Sequence, residues 1–140
     1  MRIFLDANIL FSDAKSTGAI RSLLDLCLKH GHVLVADAYV IEEARRNLSL
    51  KFPETLEDFD SRVEQMETQR VRPMSNETET CGLPEKDIPV VKAALDLKCD
   101  VLVTGDKRHF GHFYGKKIKE TLILSPTGLF EMERVPASGG

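Results

Sequence analysis

Short apolar runs alternate along this chain with longer amphipathic stretches, and that alternation restricts the fold more than any other feature. Residues 2–5 (Arg2-Ile3-Phe4-Leu5), 32–36, 101–103 and 122–124 read as strands. Ile20, Leu23, Leu24, Cys27 and Leu28 recur at helical spacing within residues 17–30, and Gly31 follows as a stop. Asp37 reads as the N-cap of a helix running to Leu50. Beyond Pro53, Leu56, Phe59, Val63 and Met66 form one helical stripe. Val71-Arg72 reads as a brief third strand, residues 73–83 as a loop and 88–98 as a further helix. Strands interleaved with helices imply an α/β fold with a mostly parallel sheet covered on both faces. In such sheets the functional site lies outside the carboxyl ends of the strands, where the strand order reverses. Functional side chains are therefore expected just after strands or at the starts of the helices that follow.

The 140 residues suffice for one core, read as a single domain over 1–135 with a flexible tail at 136–140. The apolar runs are too short to cross a bilayer, and Met1–Asp6 does not read as a signal peptide because an acid interrupts it. Cys27, Cys81 and Cys99 are odd in number and lack CxxC spacing, so they read as reduced thiols of a cytoplasmic protein. The net charge of −3 argues on its face against a nucleic-acid substrate. Its distribution answers the objection, because Lys107, Arg108, Lys116, Lys117 and Lys119, with His109 and His112, occur from 107 to 119 with no acid among them. Clustered carboxylates also lower the net charge while serving divalent ions.

Asp6 directly follows the first strand, and Asp106 follows Val101-Leu102-Val103 by a Thr104-Gly105 step. Either alone reads as a turn or capping residue. Two at strand ends, with Gly105 permitting a tight turn, point to a shared site. On the helix after Asp37, Val40, Ile41, Ala44 and Leu48 mark the buried face; Glu43 lies about 115° from its centre and Glu42 about 145°. Glu43 is thus the more inward of the two by a small margin, although wheel geometry alone favours reading it as a solvated acid near a helix N-terminus. Asp87 falls near the middle of the face formed by Ile88, Val91, Ala94 and Leu95, where an unpaired carboxylate costs several kcal/mol. It reads both as an N-cap ahead of Pro89 and as a metal ligand. Acids from separate elements suit the hard cations Mg²⁺ or Mn²⁺, and no Cys/His cluster of the kind zinc prefers is visible. One or two such ions activate a water for in-line attack on a phosphodiester.

These segments resemble the PIN-domain family of metal-dependent ribonucleases. The resemblance rests on Ile3-Phe4-Leu5-Asp6-Ala7-Asn8-Ile9-Leu10, Val40–Leu48, Asp87–Ala94 and Leu102-Val103-Thr104-Gly105-Asp106-Lys107-Arg108-His109-Phe110, in this order and spacing. It implies a three-layer α/β/α sandwich with strand order about 3-2-1-4-5, dependence on Mg²⁺ or Mn²⁺, and cleavage of RNA. By position Asp6, Glu43, Asp87 and Asp106 take the acidic catalytic and metal-binding roles, with Glu42 one residue from the same register. Asn8 and Thr104 match supporting polar positions and are read, with Lys107, Arg108 and His109, as substrate contacts. Phe110, Phe113 and Tyr114 interleave with the basic residues and are candidates for base stacking, with at least one expected in the core. Many small members of the family are toxins neutralised by a partner antitoxin protein, and many form a homodimer.

Two other readings compete. A haloacid-dehalogenase-like phosphohydrolase also places an Asp after its first strand, but it uses a second Asp two residues on, where this chain has Asn8. A non-catalytic PIN-like module would bind RNA or protein without cutting.

Overall fold

A computed structural model describes residues 1–15, 18–70 and 83–134. Four strands coincide with the expected apolar runs: β1 (Arg2–Leu5) and, after two helices α1 (Ala7–Ala14) and α2 (Ala19–Lys29), β2 (Val33–Asp37). The chain continues through α3 (Ala38–Lys51), α4 (Leu56–Glu64), β3 (Glu67–Gln69), α5 (Ile88–Asp96) and β4 (Val101–Val103). It ends with α6 (Lys107–Phe110), β5 (Lys117–Ile118), β6 (Thr121–Leu124) and α7 (Pro126–Arg134).

The six strands lie in the order β3-β2-β1-β4-β6-β5, all parallel except β5 against β6. Helices flank the sheet in an α/β/α arrangement. The expected order thus holds for five strands, and β5 is added at one edge. It escapes sequence reading because it is two residues long and only Ile118 is buried. The third strand sits at Glu67–Gln69, and Val71-Arg72, the predicted position, lies outside the described residues, as do most of the predicted loop and the predicted tail at 136–140. β3 carries no apolar pattern; it is held by backbone pairing to β2 and by the Arg2 guanidinium, whose Nη1 donates to Glu67 at 3.0 Å.

Periodicity in the sequence does not mark helix α1. Ala7, Ile9, Leu10, Asp13 and Ala14 are all buried, so it lacks the polar face that marks a surface helix. Its Asp13 meets Arg62 of α4 through two bonds of 2.9 and 3.0 Å, and the same guanidinium reaches Asp25 of α2 at 2.7 Å. This ion cluster pins three helices on one side of the sheet. Asp37 caps α3 as expected, its Oδ1 accepting from the Val40 amide at 3.2 Å. Among the described residues no helix is long and apolar enough to cross a membrane.

The chain runs outward from β1 to β2 and β3, then returns to the other side of β1 for β4. The order therefore reverses between β1 and β4. Leu5 and Val103 are register partners there, so the residues that follow each strand emerge side by side.

Candidate active site

Asp6 and Thr104 are the first residues beyond the β1 and β4 seam. The Asp6 amide still donates to the Val103 carbonyl at 3.1 Å, which extends the ladder by one step. Asp6 then caps α1, with Oδ1 accepting from the Ala7 amide at 2.7 Å. Its other oxygen, Oδ2, accepts from the Thr104 hydroxyl at 2.8 Å and from the Asn8 side-chain amide at 3.3 Å.

Thr104 is fully buried and uses its whole hydrogen-bonding capacity inside the site. Its hydroxyl donates to Asp6 and accepts from the Asp106 amide at 3.2 Å and from Asn8 Nδ2 at 3.4 Å. Asn8 Oδ1 accepts from the Gly105 amide at 2.8 Å. A Cβ at position 105 would stand 3.3 Å from that oxygen, so glycine allows the close approach. Thr104 therefore cannot touch a substrate, contrary to the sequence-based expectation; it ties Asp6 to the turn that carries Asp106. Asn8 serves the same network, although it also faces the cleft.

The four expected acids come together. Asp6, Glu43, Asp87 and Asp106, from four separate elements, line one cleft of about 250 Å³. Glu43 lines it, whereas Glu42 is exposed and does not. Tyr39 of α3 bridges toward the Asp87 segment, its hydroxyl donating to the Lys86 carbonyl at 3.3 Å.

Asp87 occupies the N-cap position of α5 but makes no capping bond, which removes the simplest structural account of it. Its carboxylate turns instead toward His109. The His109 Nδ1 lies 2.8 Å from Oδ2 of Asp87 and 2.8 Å from Oδ2 of Asp106. Neither approach has hydrogen-bond geometry, so Asp87 Oδ2 and His109 Nδ1 remain buried without a hydrogen-bond partner. Asp106 Oδ1 accepts from the His109 amide at 3.2 Å, which caps α6. His109 thus stands between two acids.

The electrostatics match a crowded acidic centre. Burial holds the Asp6 carboxyl above the ordinary carboxylate range; the Thr104 and Ala7 hydrogen bonds oppose this, and the charges of Glu43 and Asp87 add to it. Asp87 is likewise raised, by burial first, with His109 opposing and Asp106 adding. A divalent cation would relieve both causes, since it would neutralise the charges and take as a ligand the Asp87 oxygen that makes no hydrogen bond. The donors are carboxylate oxygens, the ligands that Mg²⁺ and Mn²⁺ prefer. The residues present fit such an ion.

Lys107 and Arg108 are exposed and lie outside the cleft lining. Phe110 is fully buried and so cannot stack on a base, while the Tyr114 hydroxyl donates to the Thr104 carbonyl at 2.8 Å. Three polar cleft residues were not foreseen: Asn47, Lys51 and Lys86. Asn47 and Lys51 follow Glu43 by four and eight residues along α3, a helical spacing that extends the acid's own face. That spacing was available in the sequence.

Comparison with known proteins adds three findings. The family described as PIN domain matches residues 2–108. No curated protein matches. Among solved structures the chain is similar to a chain in the crystal structure of VapBC2 from Rickettsia felis bound to a DNA fragment from their promoter, at 17% identity and TM-score 0.66, covering 89% of this chain and 98% of that one. At that identity the likeness concerns the fold.

Proposed function

Because the chain belongs to the PIN-domain family, we propose that it is an Mg²⁺- or Mn²⁺-dependent endoribonuclease that hydrolyses RNA phosphodiester bonds. The observation that carries this reading is the cleft at the β1/β4 switch point, lined by Asp6, Glu43, Asp87 and Asp106, with a buried Asp87 oxygen lacking a hydrogen-bond partner.

Asp6 and Asp106 would hold the ion most directly, because each follows a strand, is fixed by hydrogen bonds and lines the cleft. Asp87 and Glu43 complete the site from α5 and α3. A divalent ion bound there lowers the pKa of an attacking water and offsets charge on the phosphodiester. Thr104 and Asn8 orient Asp6, and His109 keeps Asp87 and Asp106 apart. Lys51 and Lys86 place positive charge on the cleft wall for flanking phosphates. Lys107 and Arg108 extend the path for RNA at its rim.

Asn8 disfavours the phosphohydrolase reading. A second catalytic Asp would stand there, whereas the Asn side chain bonds to Asp6, Thr104 and Gly105. The similar chain was crystallised in VapBC2, and we extend that to a cytoplasmic role as the toxin of a toxin–antitoxin pair, with an antitoxin protein as partner and a homodimer as the assembly. The experiment is cleavage of single-stranded RNA with and without Mg²⁺ or Mn²⁺. Metal-stimulated cleavage abolished in Asp6→Asn and Asp106→Asn is expected; equal cleavage by wild type and variants would indict a contaminant and reject the assignment. Phosphate release from a monoester without RNA cleavage would favour the phosphohydrolase.

A further inference from the structure

A second group of ionisable side chains converges at the opposite, amino edge of the sheet. His30 closes α2, Gly31 adopts φ 82°, and His32 leads into β2. The left-handed turn at Gly31 brings both imidazoles to Glu133 of α7. Nδ1 of His30 and Nε2 of His32 lie 3.2 and 2.6 Å from the same oxygen, Glu133 Oε1. One ligand atom from each residue falls within 4.8 Å of the others.

The Glu133 side chain is only 5% exposed, and among the described residues its ion-pair partners are these two imidazoles, with no lysine or arginine. A carboxylate so buried needs a compensating cation. Two imidazoles and one carboxylate form the three-ligand set zinc takes when a fourth position is left to water. It offers two imidazoles to one carboxylate, whereas the cleft group offers the single imidazole of His109 beside Asp87 and Asp106. It is invisible to spacing rules because His30 and Glu133 are 103 residues apart.

We propose that His30, His32 and Glu133 form a separate transition-metal site, filled by Zn²⁺, that clamps α7 onto the turn between α2 and β2. His32 Nδ1 sits 2.9 Å from the Met1 amino nitrogen. Nε2 is thus the ring nitrogen that faces Glu133.

The test is zinc titration of the chelator-treated full chain in excess Mg²⁺, read by calorimetry and by thermal melting. One Zn²⁺ per chain is expected, with Tm rising about 5–10 °C at a hundredfold excess over Kd. His30→Ala, His32→Gln and Glu133→Gln should each weaken binding at least about tenfold, while Asp106→Asn binds zinc as the wild type does. His30 is the most exposed of the three, so its variant serves if the other two fail to fold. Absence of zinc binding by the wild type, undiminished binding in His30→Ala, or loss of binding in Asp106→Asn would each overturn the proposal.

Discussion

The Thr104 hydroxyl donates to Asp6 Oδ2 at 2.8 Å across the seam between β1 and β4, joining residues 98 positions apart. The Thr104 hydroxyl oxygen in turn accepts from the Asp106 amide. Thr104→Val keeps the shape and removes both functions. We expect about a tenfold to hundredfold loss in metal affinity or activity, with a stability cost of about 1–3 kcal/mol from the stranded partners. Mg²⁺ dependence of cleavage and urea denaturation measure the two effects separately.

Glu43 and Glu42 are adjacent but face different surroundings. Glu43→Gln should reduce metal-dependent cleavage by about tenfold or more, while Glu42→Gln leaves it unchanged. Equal effects at both positions would contradict the assignment of Glu43 to the site.

Burial raises the carboxyls of Asp6 and Asp87 above their ordinary value of 3.8. The folded, metal-free chain therefore binds protons that the unfolded chain has already released. The stability from these two groups is fully present below the ordinary pKa and is lost as pH rises through the raised folded values. In chelator, melting experiments should show this contribution declining from acidic toward neutral pH. Saturating Mg²⁺ should reduce the decline, because the ion favours the ionised form.

Arg62 is buried among Asp13, Asp25 and the Gln65 side chain. Arg62→Met leaves the Asp13 carboxylate, itself 2% exposed, without its cation. The expected cost is about 3–5 kcal/mol, equivalent to a Tm lower by about 10–20 °C. Asp13→Asn in the same background should recover part of that loss.

Cys27 and Cys99 are free and buried, and burial pushes their thiols up to about 12 and about 11. Neither forms appreciable thiolate near neutral pH. Alkylation followed by mass spectrometry should find both unmodified in the native chain and both modified after denaturation.

Asp6 and Asp106 were legible in the sequence because a parallel sheet presents its strand ends at one edge, and both acids follow apolar runs. Glu43 was only marginally legible, since the wheel separates it from Glu42 by a fraction of a turn. Asp87 was ambiguous between cap and ligand until its missing capping bond favoured the second. The role of Thr104 was hidden, because a buried hydroxyl with three partners looks like any threonine after a strand. β3 and β5 were hidden for another reason: edge strands held by backbone pairing need no apolar alternation. Helix α1 failed the opposite way, being too buried to display a polar face.

The seam between β1 and β4 also bears on timing. Asp6 leaves the ribosome some eighty to one hundred residues ahead of Asp87, Thr104 and Asp106. β1 alone has no neighbour to hold its terminal acid in position, and the later strand supplies both the hydroxyl and the second carboxylate. A nascent chain still attached to its own messenger thus carries an incomplete centre. The four carboxylates share one cleft only once β4 has docked against β1.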